Sequence, residues 1–252
     1  MDRSAIAKLL VSEGQRLFDA HATFVEFSRN PAADRLLNDL DNHPHAFVLA
    51  CVMDRQMKAE RAWLIPYLIS EQLGDFKIQT LGELSLEEVT RLMTTPEPLH
   101  RLPEEMSKNF HSAVHTIIDV YGGNAAQIWS GKPSSADVVY RFLQFRGVGP
   151  KIATMTANIL ARDFKIPFSD YYSIDVSVDV HVRRVFNRLG LTQVNDDVDS
   201  IVYLARALHP KFPGLLDLPM WEIGRNCCRP REMLCDQCIM KTVCPTANND
   251  DA

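Results

Sequence analysis

The chain has 252 residues, enough to bury one large core or two modest ones. Its hydrophobic share of 46% is ordinary for a globular protein, and the longest apolar runs are too short to span a membrane. A net charge of −5 argues against a non-specific nucleic-acid binder, yet from Arg141 to Arg188 eight Lys/Arg stand against four Asp/Glu. The compensating acid lies elsewhere: Glu83, Glu87 and Glu88, then Asp196, Asp197 and Asp199, then an Asp250-Asp251 tail. The segregation permits one basic face on an acidic body.

Residues 4 to 20 carry Ile6, Leu9, Leu10, Leu17 and Phe18 at helical spacing. Glu13 and Asp19 interrupt that apolar set and there is no small-residue cleavage site, so the stretch reads as an amphipathic helix and not a targeting peptide. A cytosolic setting is expected, or a nuclear one if the source has a nucleus. After Asn30-Pro31, residues 32 to 40 predict a short helix, and Asn42-His43-Pro44 a break. His45 to about Leu73 predicts a long helix, kinked or split in two at Pro66 and ended by Gly74. Ser85-Leu86-Glu87-Glu88 has the form of a helix start, and Pro103 to Tyr121 is helical up to Gly122-Gly123. The only stretch that could alternate like a strand is Tyr172 to Val182. The expected class is all-α, with 14 prolines punctuating about ten helices.

Three stretches carry chemistry. The first is Phe145-Arg146-Gly147-Val148-Gly149-Pro150-Lys151. Gly147 and Gly149 allow a tight turn, and Pro150 suits the first position of a following helix. Free amides at that helix start, around Gly147, Val148 and Gly149, form a cradle for an anion such as a nucleic-acid phosphate. Lys151 lies one residue into the helix. The second is Asp179-Val180-His181-Val182-Arg183-Arg184, where Asp179 is placed as an N-cap; such a carboxylate is rigid and ionised, as an electrostatic catalyst should be. His181 could bond backbone, touch a phosphate or sit in the core.

The third stretch holds Cys228, Cys235, Cys238 and Cys244, spaced 6-2-5 and followed by Pro245. Clustered cysteines in a chain with no secretory signal point to metal before disulfides. Four thiolates will hold zinc or an iron–sulfur cluster. One tight pair with the others spread, and a proline after the last, favours a [4Fe–4S] cluster. Cys227 stands one residue outside the set, and Cys51 sits in an apolar run as a core thiol.

Together these stretches resemble the helix-hairpin-helix (HhH-GPD) DNA glycosylases of the endonuclease III type, over most of residues 45 to 245. Gly147-Val148-Gly149-Pro150-Lys151 looks like the family's hairpin, with Lys151 at its catalytic lysine position. Val178-Asp179-Val180-His181-Val182-Arg183-Arg184-Val185 looks like its aspartate motif, with Asp179 at the catalytic position. Gly224-Arg225 with the 6-2-5 cysteines matches its cluster loop. Gln56 falls where a glutamine fills the hole left by the extruded base. Arg146 stands where the family usually has proline, Pro150 where it often has a basic residue, and the segment between Lys151 and Asp179, with Asp170, Tyr171 and Tyr172, is longer than usual.

The resemblance implies a two-lobed fold: a helical barrel over 45–167, with the hairpin at about 136–161, and a cluster domain from 1–44 and 168–252 with its loop at 228–244. It implies a monomer acting on double-stranded DNA that holds a damaged or mismatched base or an abasic site, with no membrane partner. DNA would lie across the groove between the lobes, with Lys151 and Asp179 facing each other and Gln56, His181 and Arg184 among the DNA contacts. The implied activity is base-excision repair by a DNA glycosylase with AP lyase activity: extrusion of the base, cleavage of the N-glycosidic bond and β-elimination through a lysine Schiff base. Two other classes stay open: a monofunctional glycosylase using Asp179 and water, and a non-catalytic binder of DNA structure.

Overall fold

Helices, caps and turns account for the whole architecture of the computed structural model, which describes residues 3–20 and 24–248; the Asp250-Asp251 tail lies outside them. The helices in order are α1 Arg3–Asp19, α2 Pro31–Asn38, α3 Pro44–Met53, α4 Ala59–Ala62, α5 Ile65–Leu73, α6 Ile78–Gly82 and α7 Leu86–Thr94. There follow α8 Pro103–Tyr121, α9 Ser135–Leu143, α10 Pro150–Arg162, α11 Val180–Arg188, α12 Val198–Leu208, α13 Asp217–Asn226 and α14 Pro245–Asn248. Among the described residues there is no strand, only an isolated bridge between Cys228 and Met233. Among the described residues no helix is long and apolar enough to cross a membrane.

The described residues fall into two compact units. One draws on 22–133 and 140–156, the other on 1–21, 134–139 and 157–252, so α9 and α10 each have residues in both. In the first unit α3 is the centre. All ten of its residues are buried, as a helix apolar on every side requires, and α2, α5 and α8 pack on it. Phe27 stacks on Trp63 at 4.5 Å beside Phe47. Capping is local and readable: Ser85 and Glu88 close a capping box on α7. The second unit gathers Ile6 and Leu10 of α1, Val182, Val185 and Phe186 of α11, and Met220 and Ile223 of α13 into one core.

Three expectations need correction. The run from His45 to Leu73 forms three helices, α3, α4 and α5. It breaks at 54–58, which the sequence did not mark, and again at 63–64, where Pro66 in the first turn of α5 makes the expected split. The helices exceed ten, because pieces of four or five residues such as α4, α6 and α14 are too short to show a period. Tyr172 to Val182 is no strand. Its backbone groups bond to non-strand partners, with Gly214 N–H donating to Ile174 O at 2.6 Å and Ser177 N–H to Asp217 Oδ1 at 2.6 Å, and Val180 to Val182 open α11.

Candidate active site and cysteine loop

The hairpin turn is built from short-range bonds. Phe145 N–H donates to Phe142 O at 3.1 Å, Val148 N–H to Phe145 O at 3.0 Å, and Ala153 N–H to Gly149 O at 3.0 Å. The two glycines differ. Gly147 has φ +81 and lies against Asn109, so no side chain fits there. Gly149 is outside the left-handed region and nothing lies within 4 Å of where its Cβ would be. The sequence expectation that both glycines serve the turn's dihedrals therefore holds for Gly147 alone. Gly149 instead leaves the helix start bare, which lets another molecule's backbone approach. Pro150 opens α10 and Lys151, next to it, is exposed.

Arg146 is a feature of this chain's hairpin. Its Nε donates to Asn109 Oδ1 at 3.1 Å and its Nη2 to Glu105 Oε1 at 3.2 Å. Asn109 is fully buried in α8. The turn is thus tied to α8 by a hydrogen-bonded side chain from each partner.

Asp179 caps α11. One oxygen, Oδ1, accepts from both His181 N–H and Val182 N–H at 2.8 Å, which leaves Oδ2 outside the cap. His181 Nδ1 pairs with Arg184 Nη2 at 3.0 Å, and its ring meets Trp221 edge-on at 6.4 Å. Arg184 points inward to the protein: Nε donates to Cys228 O at 2.7 Å, Nη2 to Gly224 O at 2.7 Å and Nη1 to Val180 O at 3.2 Å. Arg188, one turn on, was not singled out by sequence. It donates to Cys228 Sγ at 3.4 Å, Arg229 O at 2.6 Å and Pro230 O at 3.1 Å. No local signal marks these roles, because the acceptors come from forty residues downstream. Gln56 is exposed and lies beyond the end of α3 with φ +54, in a turn and not in a helix.

The long segment before α11 is anchored within its own unit. Asp170 Oδ1 accepts from the N–H and hydroxyl of buried Ser135 at the start of α9. Tyr171 stacks on Phe212 at 4.9 Å and meets Phe18 edge-on. Tyr172 is left exposed.

The C-terminal cysteines line one cavity of about 30 Å³, with Cys227, Cys228, Cys235, Cys238 and Cys244 in its wall together with Arg188. Burial, with the neighbouring thiols of Cys227, Cys228 and Cys244, pushes the Cys238 thiol up to about 11. Cys227 Sγ also faces Gln237 O at 3.6 Å. Among the described residues no three His, Cys, Asp or Glu are arranged to hold a metal ion. Cys51 is a core thiol, 1% exposed and pushed up by burial.

No family model matches the chain. Endonuclease III of Thermotoga maritima is 30% identical to it over 157 residues, 59% of this chain; the match spans 63% of that relative's length. The fold matches a structure of endonuclease III trapped as a covalent intermediate with DNA, at TM-score 0.63 and 21% identity over 98% of both chains. It also matches a thermostable thymine-DNA glycosylase at TM-score 0.64 and 16% identity over 96% of both. The chain has the helical fold of these DNA glycosylases. Within that fold this chain has a hairpin in which Arg146 reaches back to Asn109 and Glu105, and a segment before α11 anchored through Asp170.

Proposed function

We propose that the chain is a base-excision-repair DNA glycosylase with AP lyase activity. Its substrate is duplex DNA holding a damaged or mismatched base, or an abasic site, and it acts as a monomer in the cytoplasm or nucleus. The observation that carries this reading is the setting of Lys151, exposed one residue into α10, directly behind a Gly149 with open space around it. Amides of Gly147 and Gly149 grip a phosphate at the helix start; the Val148 amide, expected from the sequence to join them, is engaged by Phe145 O. The target nucleotide is extruded and Gln56 fills the vacated stack.

The base leaves C1′ with the bonding electron pair and takes up a proton. Asp179, ionised and fixed by its cap, stabilises the positive charge left on the sugar. The free amine of Lys151 attacks C1′; loss of its second proton and opening of the ring give a Schiff base. Removal of a C2′ proton then expels the 3′ phosphate, and water releases the lysine.

The cysteines fit a [4Fe–4S] cluster on Cys228, Cys235, Cys238 and Cys244. All four line the same cavity, and the Arg188 guanidinium at the Cys228 sulfur complements the charge of a thiolate-bound cluster. When bound, the cluster supplies folding free energy to the 228–244 loop. Arg184 and Arg188 position that loop on α11, the helix Asp179 caps.

The test is borohydride trapping on an abasic-site duplex. A covalent protein–DNA adduct is expected, and Lys151→Gln abolishes both the adduct and strand cleavage. Base release without trapping would make the enzyme monofunctional. Binding with neither would make it a non-catalytic binder of DNA structure.

A further inference from the structure

His100 is 2% exposed and precedes the exposed pair Arg101 and Leu102. Its Nδ1 accepts the Leu102 N–H at 2.9 Å, so the ring proton lies on Nε2. Burial favours the neutral ring. That Nε2–H faces the carbonyls of Met53 and Arg55, both near enough to act on the ring but neither at the geometry of a well-formed hydrogen bond. A buried donor left short of an acceptor is costly, and a small movement of either carbonyl removes the cost.

The two carbonyls belong to the turn that follows α3. There Arg55 N–H doubles back to Met53 O at 2.7 Å, and Gln56 takes φ +54. A non-glycine residue in this region is held there by its surroundings. The Arg55 carbonyl shares a peptide plane with the Gln56 nitrogen. A turn of that carbonyl must therefore be taken up in ψ of Arg55 and φ of Gln56, which re-aims the exposed side chain.

We propose that His100 is the positioning residue for Gln56: its Nε2–H closes on the Arg55 carbonyl when DNA bears on the turn, and so locks Gln56 in its projecting conformation. This rests on the reading of Gln56 as the residue that fills the vacated stack.

The probe is a duplex with one tetrahydrofuran abasic analogue opposite 2-aminopurine, whose emission reports the stack around the gap. Wild-type protein should bind and change the emission, and Gln56→Ala should bind and lose most of the change. His100→Asn keeps an acceptor for Leu102 but has no donor at the Nε2 position, so it should match Gln56→Ala. His100→Gln, which restores that donor, should recover the signal. His100→Asn should add nothing in the Gln56→Ala background.

A wild-type signal from His100→Asn, or a further loss in the double variant, overturns the proposal. So does a silent Gln56→Ala, which would leave His100 nothing to position. Should the variants melt too low to assay, nitrogen-15 histidine spectra of wild type decide. The His100 Nε2–H should exchange more slowly on adding the duplex, and an unchanged rate overturns the proposal. If wild type binds and is trapped on abasic DNA while these tests fail, the proposed function stands and only this inference falls.

Discussion

A Cβ on Gly147 would lie 2.4 Å from Asn109 Nδ2. The buried amide of α8 therefore fills the space a side chain would need, and its Oδ1 takes the Arg146 Nε–H. Gly147→Ala combines that clash with a left-handed backbone, itself worth about 1–2 kcal/mol. We expect it to lower the melting temperature and, with the turn displaced, to weaken DNA binding. Gly149→Ala meets no neighbour. It should melt like wild type and bind damaged and undamaged duplexes equally more weakly, since a phosphate contact carries no sequence information. Loss of lesion selectivity with affinity intact would contradict the assigned grip.

Asp179→Asn keeps an acceptor for the His181 and Val182 amides. It should melt close to wild type and bind DNA normally. Base release in single turnover should fall by about two orders of magnitude or more, the scale of losing one well-placed electrostatic group. Asp179→Ala also loses the cap, at about 0.5–2 kcal/mol, which makes Asn the cleaner variant. An undiminished release rate in Asp179→Asn would remove the carboxylate from the chemistry.

Protein purified anaerobically from iron-replete cells should contain iron and absorb broadly in the visible. A colourless, zinc-loaded product would overturn the cluster assignment. Replacing Cys228, Cys235, Cys238 or Cys244 should destabilise the loop, because metal-binding free energy there is folding free energy. Cys227→Ser keeps a donor for Gln237 O and should leave iron content unchanged.

Burial is the largest influence on the Glu222 carboxyl and raises it above the usual range; the Glu13 carboxylate adds to this, while Arg162 and Arg16 oppose it. A raised acid holds its proton in the folded state after the unfolded chain, at about 4.3, has released it. Stability therefore falls as pH rises from the unfolded value through the folded one, and the deficit remains at pH 7. Glu222→Gln should melt higher than wild type at pH 7, with the difference shrinking toward pH 4. An equal difference at both values would mean that packing, not charge, is responsible.

What the sequence made legible was local. The cap at Asp179, the hairpin ending in Pro150, the span of α8 and the cysteine spacing each lie within a few residues of their own signal. The break after Met53 does not: Asp54-Arg55-Gln56-Met57-Lys58 contains no glycine or proline, and the turn is packed beneath by His100 from a distant loop. Arg184 reads as a surface cation beside Arg183 until the Gly224 and Cys228 carbonyls arrive from downstream to meet it. Gly149 could be told from Gly147 only once Asn109 was in place beside one and not the other.

Helix α11 holds the cysteine loop through two guanidinium groups, Arg184 on Cys228 O and on Gly224 O of α13, and Arg188 on Arg229 O and Pro230 O. If the loop unravels for want of the proposed cluster, Arg188 loses Cys228 Sγ, Arg229 O and Pro230 O, while Arg184 loses only Cys228 O and keeps Gly224 O, Val180 O and His181. One cation that had been an internal fastener then becomes free surface charge on the helix that begins at Asp179. On the proposed function, a chain without its cluster would bind undamaged DNA more tightly and more salt-sensitively than the loaded form.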